Sequence, residues 1–294
     1  MTALTPLARN ATERPISPGH LRRRRLLNRI AIYAVLSLGA FLMVMPYVFG
    51  TTHALMTTIQ FVAYPTEWIP DPIKLSNLVD ALQMLGWRSF FNSTLLAICA
   101  ILGQTVFGMM AAFALAMLRF RFRNSLLLLY ISELLVPFHV IMIPLFVLVF
   151  RLGWLDTYPG LIVPVVASQS LAVFFFRQAF LVIPHELFEA AVVEGASPFL
   201  ILRRIYAPLA GPTVAAYAII TFLGAYALFI WPLLASTQPD LRTVSVQLAI
   251  NNTANVPPSN LLAMALLSML PVLIVFVVAQ GKFVQGIAGT GLKG

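Results

Sequence analysis

The stretch from Pro184 to Pro212, PHELFEAAVVEGASPFLILRRIYAPLAGP, is too charged to cross a bilayer and too patterned to be a passive connection. Pro184 suits the first turn of a helix, and Glu186 and Glu189 favour its N-terminal half, where the helix dipole is positive. Gly195 has the left-handed freedom that ends a helix. Ser197 and Pro198 then supply an N-cap and a first helical residue for a second helix reaching Tyr206. The segment therefore predicts two short helices around a tight bend. Glu186, Glu189, Ala190 and Val193 follow i, i+3, i+4, i+7, so acids and small residues share one stripe. Two readings stand: the pair packs on the protein's own surface through Phe199, Ile201 and Leu202, or it is a docking element approached closely over Ala190 and Ala191.

Everything around this loop is apolar. Of 294 residues 60% are hydrophobic and only 10% charged, against about 25% in ordinary soluble domains, and mean hydropathy is +0.90. A water-soluble globular protein is excluded. A bilayer core about 30 Å thick needs roughly 20 residues as helix. Six runs meet that length: Ile30 to Phe49, Phe90 to Leu118, Ser125 to Phe150, Thr157 to Phe176, Thr213 to Ser236 and Leu261 to Gly281. They mix Gly and Pro with Leu, Val and Phe and lack the alternation of barrel strands. The first run is too long for the apolar part of a signal peptide, and Met45, Tyr47 and Phe49 make a poor cleavage site, so it counts as a span. The expected class is an all-α integral membrane protein with six transmembrane helices and a two-helix inner loop. It divides into a basic tail (1–29), a transmembrane domain (30–281, including loop 184–212) and a C-terminal tail (282–294).

The net charge of +9 invites a nucleic-acid partner until its distribution is seen. An even number of spans puts both termini on one side. If that side is cytoplasmic, the inside holds Arg9, Arg14, Arg22 to Arg25, Arg29, Arg119, Arg121, Arg123, Arg177, Arg203, Arg204, Lys282 and Lys293. That is fifteen of the nineteen basic residues; Lys74, Arg88, Arg151 and Arg242 remain outside. Such an excess sets orientation in the cell membrane and contacts anionic headgroups, and no nucleic acid is needed to explain it. The single cysteine, Cys99, excludes an internal disulfide or a cysteine-based metal site.

Within the loop, EAAVVEGAS followed by IYAPLAGP resembles the EAA motif of the permease subunits of binding-protein-dependent ABC importers. Further stretches agree: RQAFLVIPHELFEAA, EWIPDPIKLSNL, AAFALAMLRFRFR, VPFHVIMIPLF with LGWLDTYPGLIVP, and the terminal KFVQGIAGTGLKG. Together they resemble the smaller, sugar-type permease of maltose-like systems over nearly the whole chain. The resemblance implies the ABC type I importer permease fold, with the loop as a coupling helix seated on a cytoplasmic ATPase. Glu189, Ala190, Ala191 and Gly195 match the motif, and Glu194 stands where the family usually has Asp; with Ser197 they form the expected coupling set. The tail residues Gly291, Leu292, Lys293 and Gly294 are expected to reach the same ATPase. The implied partners are a second homologous permease, a dimer of ATP-binding subunits, an extracytoplasmic solute-binding protein and the lipid bilayer. The implied substrate is a sugar or oligosaccharide, with a glycerophosphodiester or polyol phosphate as the alternative. ATP and Mg belong to the partner ATPase: no G-x-x-x-x-G-K-[ST] loop exists here, and the chain is expected to bind no cofactor and catalyse nothing itself.

One carboxylate lies inside a span. Glu133, a third of the way along the third run, costs about 2.5–3.5 kcal/mol on insertion scales and should face the bundle interior or water. His139 is about 240° further round a regular helix, although Pro137 interrupts regularity. Glu133 reads either as a hydroxyl-binding lining or as an interhelical contact. In the fifth run, GAYALFIWPL keeps the Trp231–Pro232 pair of the resembling family but replaces its polar group by Tyr226, Ala227 and Leu228. Tyr226 and Trp231 read as sugar-stacking rings or membrane-interface anchors. A secondary transporter driven by an ion gradient is the competing class, but it would be expected to show repeated halves and several carboxylates. A membrane enzyme fits less well, because His20, His53, His139 and His185 are scattered. Asn92, Ser93, Gln104, Ser168 and Gln169 are expected to bond between helices, and Gly103 and Gly108 to let helices close.

Overall fold

A computed structural model describes residues 18–253 and 255–291, with side chains over 26–252 and 255–281. Residues 1–17 of the basic tail therefore lie outside the described region, as do Leu292, Lys293 and Gly294. Every regular element among the described residues is a helix. The chain separates into two units, one ending at Thr51 and one beginning at Thr52.

The first unit holds most of α1 (Pro18–Ala54), whose side chains from Leu26 to Val48 are almost all exposed. A helix that is apolar on every side suits lipid, not water. Residues 26–54 meet the length and composition of a span.

The second unit runs through α2 (Thr58–Phe61), α3 (Ser76–Met117), α4 (Arg123–Glu133), α5 (Phe138–Arg151), α6 (Tyr158–Ala167) and α7 (Ser170–Val182). It continues with α8 (Glu186–Val193), α9 (Pro198–Ile201), a π-helical segment (Leu202–Tyr206), α10 (Ala207–Leu209), α11 (Gly211–Tyr226), α12 (Ile230–Ala235), α13 (Val244–Thr253) and α14 (Pro258–Gly291). Helix α3 carries the second run and extends fourteen residues before it, from Ser76 to Ser89, with a kink at Gly86, where φ is +68°. Residues 258–281 of α14 carry the sixth run.

The middle runs are not continuous helices. The third bends by 99° between α4 and α5, and the fourth by 40° between α6 and α7. Pro137 cannot donate a backbone hydrogen bond and disfavours helical geometry in the residue before it, which accounts for the first break. The fifth run divides into α11 and α12 on either side of residues 227–229. The third bent pair is not α11 with α12 but Pro198–Leu209 with Gly211–Tyr226, at 79°; counting each bent pair as one span gives up to six among the described residues.

Helix α3 lies at the centre of this unit, packing against α6, α7, α11 and α14. Small residues allow it. A Cβ added at Gly108 would lie 2.5 Å from the Ala172 Cβ of α7, and one at Gly103 would collide with Val166 of α6. Polar side chains then tie the helices, as buried polar groups must. Gln104 donates to the Val165 carbonyl at 2.7 Å and accepts the Tyr217 hydroxyl at 2.7 Å. Asn92 donates to the carbonyls of Asp240 (2.9 Å) and Arg242 (3.0 Å) and accepts the Tyr158 hydroxyl (3.0 Å). Ser93 accepts the Val244 N–H at 2.9 Å.

Candidate functional site

Loop 184–212 folds as two short helices around a bend. Glu186 and Glu189 occupy the first turn of α8, where their charge opposes the helix dipole favourably. The helix ends in a Schellman arrangement: Ala196 N–H donates to the Ala191 carbonyl and Gly195 N–H to the Val192 carbonyl, both at 3.0 Å. Gly195 takes φ +78° to close it. The Ser197 hydroxyl oxygen accepts the Leu200 N–H at 3.4 Å, capping α9, and Pro198 occupies its first position. The π-helical turn that follows, Leu202–Tyr206, leaves no mark in the sequence pattern.

The loop has two faces, one packed on the protein and one exposed. Ala191, Ile201, Leu202 and Tyr206 are buried in a cluster with Met109, Phe113 and Met117 of α3 and Phe176 and Phe180 of α7. Tyr206 is fully buried, edge-on to Phe113 (5.2 Å) and Phe180 (5.5 Å). On the opposite face Glu186, Glu189, Ala190, Val193 and Glu194 are exposed, Val193 to 88%. Ala190 and Ala191 are thus divided: the first faces out and the second anchors the helix. Phe199 is also exposed, although Ile201 and Leu202 beside it are not. His185 and Glu189 approach to 3.8 Å, an exposed pair worth little energetically.

The second polar feature sits where the α4–α5 and α6–α7 pairs break. Glu133 ends α4, and its carboxylate accepts hydroxyl hydrogen bonds from Ser168 (3.2 Å) and from Ser170, one residue on either side of the α6–α7 bend. Nothing in the local sequence around Glu133 signals partners 35 and 37 residues away. His139 is not brought to it: the 99° turn intervenes, and His139 is exposed beside Phe138.

A cavity of about 390 Å³ adjoins this cluster through Ser168, with Gln104, Thr221, Phe138, Leu145, Pro164, Leu228 and Trp231 among its lining. Trp231 is 1% exposed, and its indole N–H lies 3.2 Å and 3.3 Å from the carbonyls of Gly160 and Leu161. Its place is in the packed wall of the bundle rather than at a membrane interface. Tyr226 is buried as well, stacked on Phe222 at 5.6 Å, and is not among the cavity's lining residues. No group of three or more potential metal ligands occurs among the described residues.

Residues 104–289, including the loop, the broken spans and the cavity wall, match the model of the binding-protein-dependent transport system inner membrane component family. The chain belongs to this family. It is the membrane-spanning permease subunit of an ABC importer, a transporter component and not an enzyme; in such importers ATP is used by partner ATPases. The permease is 31% identical over 277 residues to the sn-glycerol-3-phosphate transport system permease protein of Agrobacterium fabrum, covering 90% of this chain and 98% of that one. It is 35% identical over 231 residues to the arabinooligosaccharides transport system permease protein of Halalkalibacterium halodurans, covering 76% and 81%. Its fold is similar to a chain of a bacterial ABC transporter involved in import of the acidic polysaccharide alginate, with TM-score 0.77, 21% identity, and coverage of 89% of this chain and 98% of that one. A competing ion-gradient carrier does not fit a family of this kind.

Proposed function

We propose that the permease forms one half of a pathway for a sugar or oligosaccharide handed over by a solute-binding protein, the other half coming from a second homologous permease. The 35% identity to a permease of arabinooligosaccharides carries this reading. The cavity supports it: Phe138 offers a ring surface, and Gln104, Ser168 and Thr221 offer hydroxyl partners. A polyol phosphate is the second reading, favoured by the 31% identity to the sn-glycerol-3-phosphate permease.

The arginine distribution supports termini on the cytoplasmic side, which puts loop 184–212 there too. The exposed stripe of Glu189, Ala190 and Glu194, held in shape by Gly195 and Ser197, is then the surface that a dimeric ATPase grips. Its buried reverse side passes the force to α3 and α7. Gly291 closes α14, and with residues 292–294 it is assigned to the same ATPase contact. ATP and Mg are held by that partner.

Reconstituting the permease with its second permease, ATPase pair and binding protein in proteoliposomes tests this. ATP-dependent uptake, with ATPase activity stimulated by a member of a sugar panel, is expected. Transport by the purified single chain without ATP would overturn it.

A further inference from the structure

We infer that the turn joining α3 to α4 is a binding site for the headgroup of an anionic phospholipid, held by Arg119, Arg123 and the first-turn N–H groups of α4, with Arg177 of α7 adding to the positive field. The inference needs the membrane-spanning permease and neither of its two substrate readings.

A surface groove of about 480 Å³ lies at this turn, lined by Arg119, Phe120, Phe122, Arg123, Asn124 and Ser125. Its arginines stay charged at any working pH, and none of its lining residues is acidic. Phe122 occupies the N-cap of α4 at φ +67° and supplies no side-chain acceptor. The first in-register bond of the helix runs from the Leu126 N–H to the Phe122 carbonyl at 2.9 Å, which leaves the N–H groups of Asn124 and Ser125 without a helical acceptor. Arg123 uses two of its five donors on the end of α3, Nε on the Leu115 carbonyl (2.8 Å) and a terminal nitrogen on the Ala116 carbonyl (2.9 Å), and keeps three. Arg177 lies within electrostatic reach of Arg123, and its Nε is buried without a hydrogen-bond partner. The ion pairs among the described residues, Arg88–Asp240 and His185–Glu189, include none of these arginines.

Guanidinium groups without a carboxylate, beside N–H groups at a helix N-terminus, suit an anion, and a phosphodiester accepts from both kinds of donor at once. The surroundings say that this phosphodiester carries acyl chains. Phe120 and Phe122 are exposed beside the arginines, and the Arg121 guanidinium lies over the Phe122 ring at 4.9 Å. Leu126, Leu128 and Leu129 then continue as exposed apolar side chains along α4. Basic groups at a helix end, aromatic rings beside them and leucines beyond match the headgroup, interface and tail zones of one phospholipid. An acidic protein surface would satisfy the arginines and leave the leucines uncovered. The site also adjoins the seat of loop 184–212, because Met117, the last residue of α3, accepts the Tyr206 hydroxyl.

The test places the full complex in nanodiscs of phosphatidylcholine containing a trace of either phosphatidylglycerol or phosphatidylcholine with a diazirine in one acyl chain. After illumination, peptide mass spectrometry measures the label on residues 126–133. The phosphatidylglycerol probe should label this segment at least about tenfold more than the phosphatidylcholine probe, and added inorganic phosphate should not displace it. Arg119→Gln and Arg177→Gln should each lower that labelling about fivefold. Arg203→Gln with Arg204→Gln, which removes two exposed arginines of the loop, should leave it unchanged. Assembly of each variant is checked by gel filtration and by unstimulated ATPase activity. Equal labelling by the two probes, or labelling that Arg119→Gln and Arg177→Gln leave unchanged, overturns the inference. Displacement by inorganic phosphate would make this a site for a free anion and overturns the lipid assignment. Loss of the ATPase subunits from the Arg119→Gln complex with lipid labelling intact assigns the arginine to that partner and overturns it as well. The importer reading survives each of these results, because uptake by the reconstituted wild-type complex tests it separately.

Discussion

Tyr206 donates its hydroxyl to the Met117 sulfur across 3.2 Å, so the π-helical segment of loop 184–212 is fastened to the last residue of α3. The ring is fully buried between Phe113 and Phe180. Tyr206→Ala should cost about 3–5 kcal/mol of stability, as other buried aromatic truncations do. Tyr206→Phe keeps the packing and should cost under about 1 kcal/mol, since it loses one weak hydrogen bond. Thermal melts of the purified complex in detergent separate the two. If the loop transmits force through this ring, Tyr206→Ala complexes that still assemble should hydrolyse ATP without importing substrate.

Gly195 tests the bend itself. Its φ of +78° is a left-handed conformation, and a Cβ there would meet nothing within 4 Å, so backbone strain alone opposes substitution. Gly195→Val should cost more than about 1–2 kcal/mol locally and uncouple uptake from ATPase activity, because the exposed stripe is no longer presented at the same angle. Gly195→Asn, which tolerates this conformation, should keep most of the coupling. Normal substrate-stimulated ATPase activity in Gly195→Val would remove the loop from the coupling mechanism.

Helix approach at α3 and α7 makes a cleaner prediction. Gly108→Ala places a methyl 2.5 Å from the Ala172 Cβ and should destabilise by about 1–3 kcal/mol. Adding Ala172→Gly removes the opposing methyl, so the double variant should recover most of the loss. Melting temperatures of the four proteins complete the double-mutant cycle, and additive losses would show that the two positions do not meet.

Asp156 predicts a pH response. Its carboxylate accepts the Thr237 hydroxyl at 2.7 Å and the backbone N–H groups of Thr237 (2.6 Å) and Gln238 (3.0 Å). The Thr237 hydroxyl foremost holds its pKa below the usual 3.8, against the opposing effect of burial and with the help of the Gln238 and Thr237 N–H groups. A carboxylate with a lowered folded-state pKa stabilises fully above its unfolded value, and the contribution disappears as pH falls through the lowered one. Amide exchange at Thr237 and Gln238, corrected for its intrinsic pH dependence, should therefore show constant protection from pH 5 to 8 and lose it only below about pH 4. Asp156→Asn suits the same positive φ of +56° and should abolish the acid-dependent step without breaking the turn.

Much of this architecture can be read along the chain because the deciding signals are local. Gly195, Ser197 and Pro198 announce a helix end and a helix start within four residues, and both are found there. Gly103 and Gly108 mark close approach for the same reason. The partners of Glu133 are not local: Ser168 and Ser170 reach it only because the fold brings the α6–α7 bend to the end of α4, and Pro137 signals one of the breaks without giving its 99° angle. Trp231 shows the same limit. An aromatic near the end of an apolar run suits an interface or a core equally, and the carbonyls of Gly160 and Leu161, seventy residues away, decide for the core.

The three hydrogen bonds of Asn92 carry a mechanical meaning. A single carboxamide joins the middle of α3, the turn at Asp240–Arg242 and the first residue of α6, with both kinds of polar atom in use. Those three segments are tied together as one strut. The corner at residues 134–137 is held by short-range backbone bonds of about one turn, and it lies directly beside Glu133. The carboxylate that ties α4 to the α6–α7 bend thus sits at the elbow of the machine and not in its frame.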